Sequence, residues 1–400
     1  MKVSTDAAKI EKLLTHQVEE VIVRESLEKK LKSGKQLRVK FGADPSRPDL
    51  HIGHAVVLRK LREFQDLGHM VIFLIGDFTA LIGDPSGKSK TRPMLSEKEI
   101  KANAKTYLKQ VGLVLDTKKC EIRFNSEWLG SMKAAEFVKL TAQFTAARVL
   151  ERDDFSKRWK EHADIHMHEL LYPMLQAQDS IALEADVEIG ATDQKFNLLT
   201  GRDLQRKLAM AEQDVLTSPI LVGTDGAQKM SKSLDNYIGL TDSADEMYGK
   251  TMSIPDSALP NWIDLAADYS KEEIEFEKGK LAKGWNPRDI KAELAKRIVK
   301  MWHGEKAATA AAENFVARFK KGEMPTEMPE FKWKMSKPTA GPVVAHVFGL
   351  SNTQARRDME AGGVKINGKA VKDWNEVIEI TKEGTTIQKG KLHFAKVKLK

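Results

Sequence analysis

The first 240 residues alternate short apolar runs with longer stretches in which hydrophobic positions recur every three or four residues. Gln36–Gly42 and Met70–Asp77 read as buried strands, and the pattern Ala55, Leu58, Leu61, Arg62 and Gln65 between them reads as a helix. Further strands are expected at Cys120–Asn125 and Ile181–Ile189. Strands separated by helices at this spacing predict βαβ units, hence an α/β Rossmann-type parallel sheet covered by helices. From Thr241 to Lys320 the β-branched runs give way to helical periodicity, as in Lys271–Lys283 and Pro287–Gly304. The segment from Gly322 to Pro342 mixes four prolines with lysines and reads as an extended linker. The expected division is a catalytic domain over 1–240, an α-helical domain over 241–322, a linker over 323–337 and a small α+β domain over 338–400.

That last module opens with an apolar helix around Val343–Phe348, followed by Ser351 with Gln354 three residues on, the pattern of a capping box. Asn367-Gly368 lies between short strands at Val364–Ile366 and Ala370–Val371, and Asn-Gly favours the tight type I′ hairpin turn. A turn at Lys389-Gly390 precedes an alternating strand, Leu392–Leu399. Charge sharpens the picture. The net charge of +8 is carried by residues 331–400, with 14 Lys and Arg against 6 Asp and Glu, while the remainder balances at 51 of each sign. Arg356, Arg357, Lys365 and Lys369 cluster in this module and are the candidate contacts for a nucleic acid. A solubilising tail is the plainer alternative.

The N-terminal residues carry charges through their apolar positions and lack a signal-peptide core, and the longest apolar stretch is Met70–Gly76. No membrane association is expected. The single cysteine, Cys120, forms neither an internal disulfide nor a cysteine-based zinc site, consistent with a cytoplasmic location.

The densest chemistry lies between the first strand and the first long helix, in Phe41-Gly42-Ala43-Asp44-Pro45-Ser46 and His51-Ile52-Gly53-His54. Two imidazoles three residues apart share one helical face, at a helix N-terminus that favours anions. They suit a triphosphate under attack, and Gly53 leaves room for a nucleotide base beside the backbone. About 175 residues downstream, Lys229-Met230-Ser231-Lys232-Ser233 lies in the polar, Gly-containing stretch Gly223–Asp235, which is expected to be a mobile loop. Two lysines three apart reach one oligophosphate, where cations stabilise charge that accumulates in the transition state. Taken singly, either motif is ordinary solvated surface.

Together, His51–His54 (HIGH) and Lys229–Ser233 (KMSKS) resemble the two signatures of class I aminoacyl-tRNA synthetases. Over almost the whole chain the sequence resembles bacterial tyrosyl-tRNA synthetases, and SNTQARRDMEAGGVKINGKAV resembles a small RNA-binding domain of ribosomal-protein type. The resemblance implies ATP as substrate, magnesium on its phosphates, L-tyrosine and tRNA(Tyr) as partners, and a homodimer. It implies His51, His54, Lys229 and Lys232 as catalytic residues. Gly42, Asp44, Ser46, Gly53, Gly190, Asp193, Met230, Ser231 and Ser233 fall to ATP. Tyr172, Gln176 and Asp179 share one helical face, and with Asp84 and Gln194 they fall to tyrosine, Asp84 on its phenolic hydroxyl or its ammonium side and Asp179 the choice for the hydroxyl. Lys88 and Arg92 join the tRNA contacts.

One departure stands out: Lys40 occupies a position that many tyrosyl enzymes fill with a tyrosine contacting the substrate hydroxyl. Gly83 to Ser89 imitates a P-loop but is one residue short and lacks the strand-to-helix context. His162, His166 and His168 lack typical zinc-ligand spacing and read as a solvated cluster. A tryptophan-specific synthetase, a non-catalytic RNA-binding protein on the same scaffold and a nucleotidyltransferase remain as rival readings.

Overall fold

The computed structural model describes residues 2–86, 95–321, 328–390 and 393–400. It divides into two compact units, residues 1–312 and 313–400. The first is built on a six-stranded sheet: β1 (Glu20–Ile22), β2 (Arg38–Ala43), β3 (Met70–Ile75), β4 (Cys120–Phe124), β5 (Val187–Ala191) and β6 (Asp214–Ser218), in the order β1-β6-β5-β2-β3-β4. All neighbours are parallel except β1, which runs antiparallel to β6. Val39, Ile72, Phe73, Val187 and Val215 are fully buried, as expected of strands covered on both faces.

From β2 the chain winds outward through β3 to β4, then returns to β5 on the other side of β2 and continues to β6. The central β2–β5 pair is therefore the switch point where loops diverge from the strand ends and open a crevice. Gly42 and Gly190 sit near those two strand ends.

The expected strand over Ile181–Ile189 is corrected. Ile181 and Ala182 finish the helix Met167–Ala182, Glu184 turns the chain at φ 45°, and the strand begins only at Val187. Ile181 and Leu183 pack into apolar clusters at the end of this helix while Ala182 is exposed, so the hydrophobicity of the run serves a helix. The helical region contains Lys271–Ala282 and Pro287–Lys321, the latter interrupted at Gly304, where φ 83° and ψ 170° break the periodicity. Residues 241–312 cluster in the same compact unit as the sheet. Among the described residues no helix is long and apolar enough to cross a membrane.

The second unit holds a five-stranded sheet of β7 (Glu330–Trp333), β8 (Val364–Ile366), β9 (Lys369–Ala370), β10 (Thr385–Lys389) and β11 (His393–Leu399), ordered β7-β11-β10-β8-β9. Part of the expected 323–337 linker is thus an edge strand. Phe331 and Trp333, alternating with Lys332 and Lys334, pack against the core of this unit while β7 pairs in parallel with β11. Helices Ala340–Val347 and Asn352–Glu360 cover the sheet. Asn367 and Gly368 both take positive φ, 46° and 81°, as a type I′ turn requires. The Ser351 hydroxyl accepts from the Gln354 amide at 3.2 Å, but the Gln354 side chain turns to Asp358 at 2.9 Å, so only half of the capping box forms.

Candidate functional site

A cavity of about 870 Å³ lies at the switch point and is lined by residues from both signature motifs and from the helix Met167–Ala182. The HIGH segment enters it because His51, in extended conformation at φ −128°, precedes the helix Ile52–Asp66, and its backbone N–H donates to His54 Nδ1 at 3.2 Å. The two rings lie 3.8 Å apart. Burial, with Lys232 and Lys229 nearby, pushes His54 down to about 3 and His51 well below the usual histidine range. Both imidazoles are therefore neutral at pH 7 and act as dipolar hydrogen-bonding groups. His51 Nδ1 is buried without a hydrogen-bond partner among the described residues.

The KMSKS segment reaches the same place through backbone pairing. Ile52 N–H donates to Ile238 O at 3.0 Å and Leu240 N–H to Leu50 O at 2.9 Å, tying the chain after Ser233 to the start of the HIGH helix. A side chain at Gly53 would crowd the His51 ring and come within 3.5 Å of Met230 Cβ, so glycine lets the two signatures touch. Asn236, buried and not singled out from sequence, organises the loop. Its Oδ1 accepts from Ser231 N–H at 2.7 Å, and its Nδ2 donates to Asp225 at 2.7 Å and to Lys229 O at 3.2 Å.

The two lysines have protein partners. Lys229 Nζ pairs with Asp193 at 2.6 Å. Lys232 Nζ lies 5.2 Å from the centre of the Tyr107 ring and 3.4 Å from Arg47 O, and burial lowers it to about 8. Ser231 and Ser233 hydroxyls are 2.9 Å apart. The arrangement can trade these contacts for anionic oxygens entering from the cavity.

At the opposite end, Tyr172 OH donates to Asp44 Oδ2 at 2.9 Å, and Thr79 Oγ1 donates to Asp44 Oδ1 at 2.7 Å. A side chain at Gly76 would collide with Asp44 and Thr79, so that close approach needs glycine. Gln194 Nε2 donates to Asp84 at 2.8 Å and to Ser86 Oγ at 3.0 Å. Arg152, buried and missed in the sequence, donates to Ser86 Oγ and to Asn197 Oδ1 and pairs with Asp154 at 2.8 Å. Asp179 is 3 % exposed and accepts from Trp128 Nε1 at 2.9 Å and from Asn125 Nδ2 at 3.4 Å. Burial pushes its carboxyl up to about 7, against the downward pull of Lys40 and of those two donors. A carboxyl so placed can pair with a hydroxyl entering the cavity.

Gly42, Asp44, Ser46, Gly53, Asp84, Tyr172, Gln176, Asp179, Asp193 and Gln194 all line this one cavity with His51, His54 and Lys229 to Ser233. Gly190 packs behind it, where a side chain would meet Gln194 Cβ at 3.0 Å and Leu198 Cδ1 at 3.1 Å. Lys88 and Arg92 lie outside the described residues. Arg356, Arg357, Lys365 and Lys369 belong to the second unit. Arg356 stacks over the Trp374 ring at 5.3 Å. Among the described residues no group of three or more His, Cys, Asp or Glu is placed to hold a metal ion.

The family model for class I tRNA synthetases (W and Y) matches residues 32–320. The tyrosine–tRNA ligase of Mannheimia succiniciproducens is 48% identical over 380 residues, 95% of this chain and 96% of that protein. That of Thermotoga maritima is 49% identical over 369 residues, 92% of each. A crystal structure of tyrosyl-tRNA synthetase complexed with L-tyrosine from Archaeoglobus fulgidus shares the fold at a TM-score of 0.63, with 24% identity, 77% of this chain and 100% of that chain covered. With paired signatures meeting at the switch point of a parallel sheet, and with likeness of this extent, the chain belongs to the class I tRNA synthetases of the tryptophan and tyrosine group.

Proposed function

We propose that the chain is a tyrosine–tRNA ligase: it activates tyrosine with ATP to tyrosyl-adenylate and pyrophosphate, then transfers tyrosine to the 3′-terminal ribose of tRNA(Tyr), releasing AMP. The observation that carries this reading is the single cavity that joins both signature motifs to the buried Asp179 carboxyl. Relatives bearing the tyrosine name over nearly their full length support the choice of amino acid.

The tyrosine carboxylate attacks the α-phosphorus in line and pyrophosphate leaves, with no protein nucleophile. Lys229 and Lys232 exchange their protein partners for the leaving phosphates, and His51 and His54, neutral, donate hydrogen bonds to the same developing charge. Magnesium carried by the ATP substrate would neutralise part of the charge on its phosphates. Asp193 releases Lys229 to accept from the ribose, while Gly42, Asp44, Ser46, Gly53 and Gly190 shape the adenylate subsite with Met230, Ser231 and Ser233. Tyr172, Gln176, Asp84 and Gln194 hold the ammonium side of tyrosine and Asp179 takes the phenolic hydroxyl. A site built to pair that hydroxyl disfavours phenylalanine, which offers no hydrogen bond to replace the one tyrosine makes there.

The tRNA body falls to Arg356, Arg357, Lys365 and Lys369, and Lys88 and Arg92 are assigned to its acceptor end. The enzyme works as a homodimer in the cytoplasm. ATP–pyrophosphate exchange with tyrosine, tryptophan and phenylalanine in parallel tests the reading. Exchange dependent on tyrosine alone is expected, and exchange with another amino acid, or none from folded protein, refutes it.

A further inference from the structure

Lys40 and Glu188 face each other across the central β2–β5 pair, 0 % and 1 % exposed, with Lys40 Nζ 2.8 Å from Glu188 Oε1. Both reach the helix Met167–Ala182. Lys40 Nζ has three protons, and three acceptors surround it: Glu188, Ser180 Oγ at 2.8 Å and Gln176 O at 3.0 Å. No donor remains for a ligand, so this lysine does not replace a tyrosine hydroxyl in the pocket.

Glu188 is equally occupied. Its Oε1 accepts from Lys40 and from Gln176 Nε2 at 3.1 Å, and its Oε2 accepts from Ser180 Oγ at 3.0 Å and from Gln213 Nε2 at 2.6 Å. Four donors fill a carboxylate's four acceptor positions. Space for this cluster comes from Gly201, where a side chain would lie 2.8 Å from Gln213 Nε2 and 2.9 Å from Ser180 Oγ. The cluster meets the cavity through Gln176, which lines it.

A carboxylate accepts only, so Glu188 engages the NH₂ end of the Gln176 amide and thereby decides which end faces the ligand. Among the described residues the Gln176 side chain makes one hydrogen bond, from Nε2 to Glu188, and none to its Oε1. We infer that the Lys40–Glu188 pair is a positioning device for substrate selection: Glu188 locks Gln176 with its carbonyl oxygen toward the cavity, so the ligand must offer a hydrogen-bond donor there, and Lys40 neutralises the buried carboxylate that does the locking. The inference rests on the tyrosine reading, in which the donor is the substrate ammonium. A neutral residue in place of Glu188 lets the amide turn and present NH₂ to that ammonium, which repels it.

Two variants test it in the full chain. Glu188→Asp keeps a charge for Lys40 but draws the carboxylate back from Gln176, and the double variant Lys40→Met, Glu188→Gln removes both charges together. In pyrophosphate exchange each is expected to raise KM for tyrosine about tenfold or more, as for a lost hydrogen bond to a charged group, with KM for ATP and the thermal midpoint close to those of the parent. A tyrosine KM within about twofold of the parent in either folded variant overturns the inference and leaves the pair as packing. Glu188→Asp retains the ion pair, so it supplies the readout if the double variant does not fold. A parent protein that fails to activate tyrosine defeats the underlying reading instead, and that result is seen before any variant is made.

Discussion

The KMSKS segment and the Lys40–Glu188 cluster use the same kinds of residue in opposite ways. In the KMSKS segment the lysines hold partners they can surrender: Lys229 is paired with Asp193 in a partly exposed bridge, and Lys232 rests over Tyr107. Beneath Gln176, Lys40 is fully enclosed and its three protons are met by Glu188, Ser180 and Gln176. Exposed ion pairs are worth little and exchange readily, whereas breaking a buried pair leaves an uncompensated charge. The proposed reaction calls for the first arrangement where phosphate would depart and for the second where the amino acid would be read.

That contrast can be broken at several points. Lys232→Ala should act on the transition state, lowering the rate of pyrophosphate exchange about 10²–10³-fold. Tyrosine affinity, measured by equilibrium binding, should stay unchanged, and an equal loss of both would place Lys232 in the ground-state complex. Asp179→Asn should do the reverse, raising KM for tyrosine about tenfold to a hundredfold and narrowing the preference over phenylalanine.

The same substitution sharpens the comparison through pH. The Asp179 pKa is raised to about 7 in the folded chain, so between the ordinary carboxyl range and pH 7 the folded state binds more protons than the unfolded one, and stability falls as pH rises through that window. Asn does not titrate. The variant's thermal midpoint relative to the parent should therefore improve from pH 4 to pH 8, and a constant difference would contradict the buried, protonatable carboxyl.

Asp193→Ala should raise KM for ATP about tenfold through the lost ribose contact while releasing Lys229. If Lys229→Ala added to Asp193→Ala caused no further loss of rate, Lys229 would matter only through its bridge. The smallest effect is expected in the second unit. Gly368→Ala puts a side chain at φ 81° in the β8–β9 hairpin and should cost about 1 kcal/mol, read as a small fall in the thermal midpoint, with pyrophosphate exchange untouched.

What was legible in the chain follows from the range of the interactions involved. The HIGH and KMSKS residues stand close together within each motif, and Tyr172, Gln176 and Asp179 sit at helical spacing, so local geometry announces a shared face. Strand β3 is a continuous apolar run, and β2 is apolar at Val39 and Phe41. By contrast, β6 is a five-residue DVLTS segment and β1 has three residues, too short for a pattern. β7 was hidden among prolines and lysines, where the Phe331–Trp333 alternation is only two residues deep. Asn236 and Arg152 are single polar residues whose roles arise from partners in space.

By itself the sequence determined the α/β architecture, the small domain that carries the positive charge and the residues of the two signatures, because periodicity and dense motifs are properties of neighbouring positions. Only the tertiary structure decided what Lys40 does. Its carboxylate partner is 148 positions away on an adjacent strand, and the helix that both contact closes over them only after the sheet has formed. Whether a lysine faces a ligand or saturates a buried glutamate is set by which acceptors surround its three protons, and no spacing along the chain encodes that.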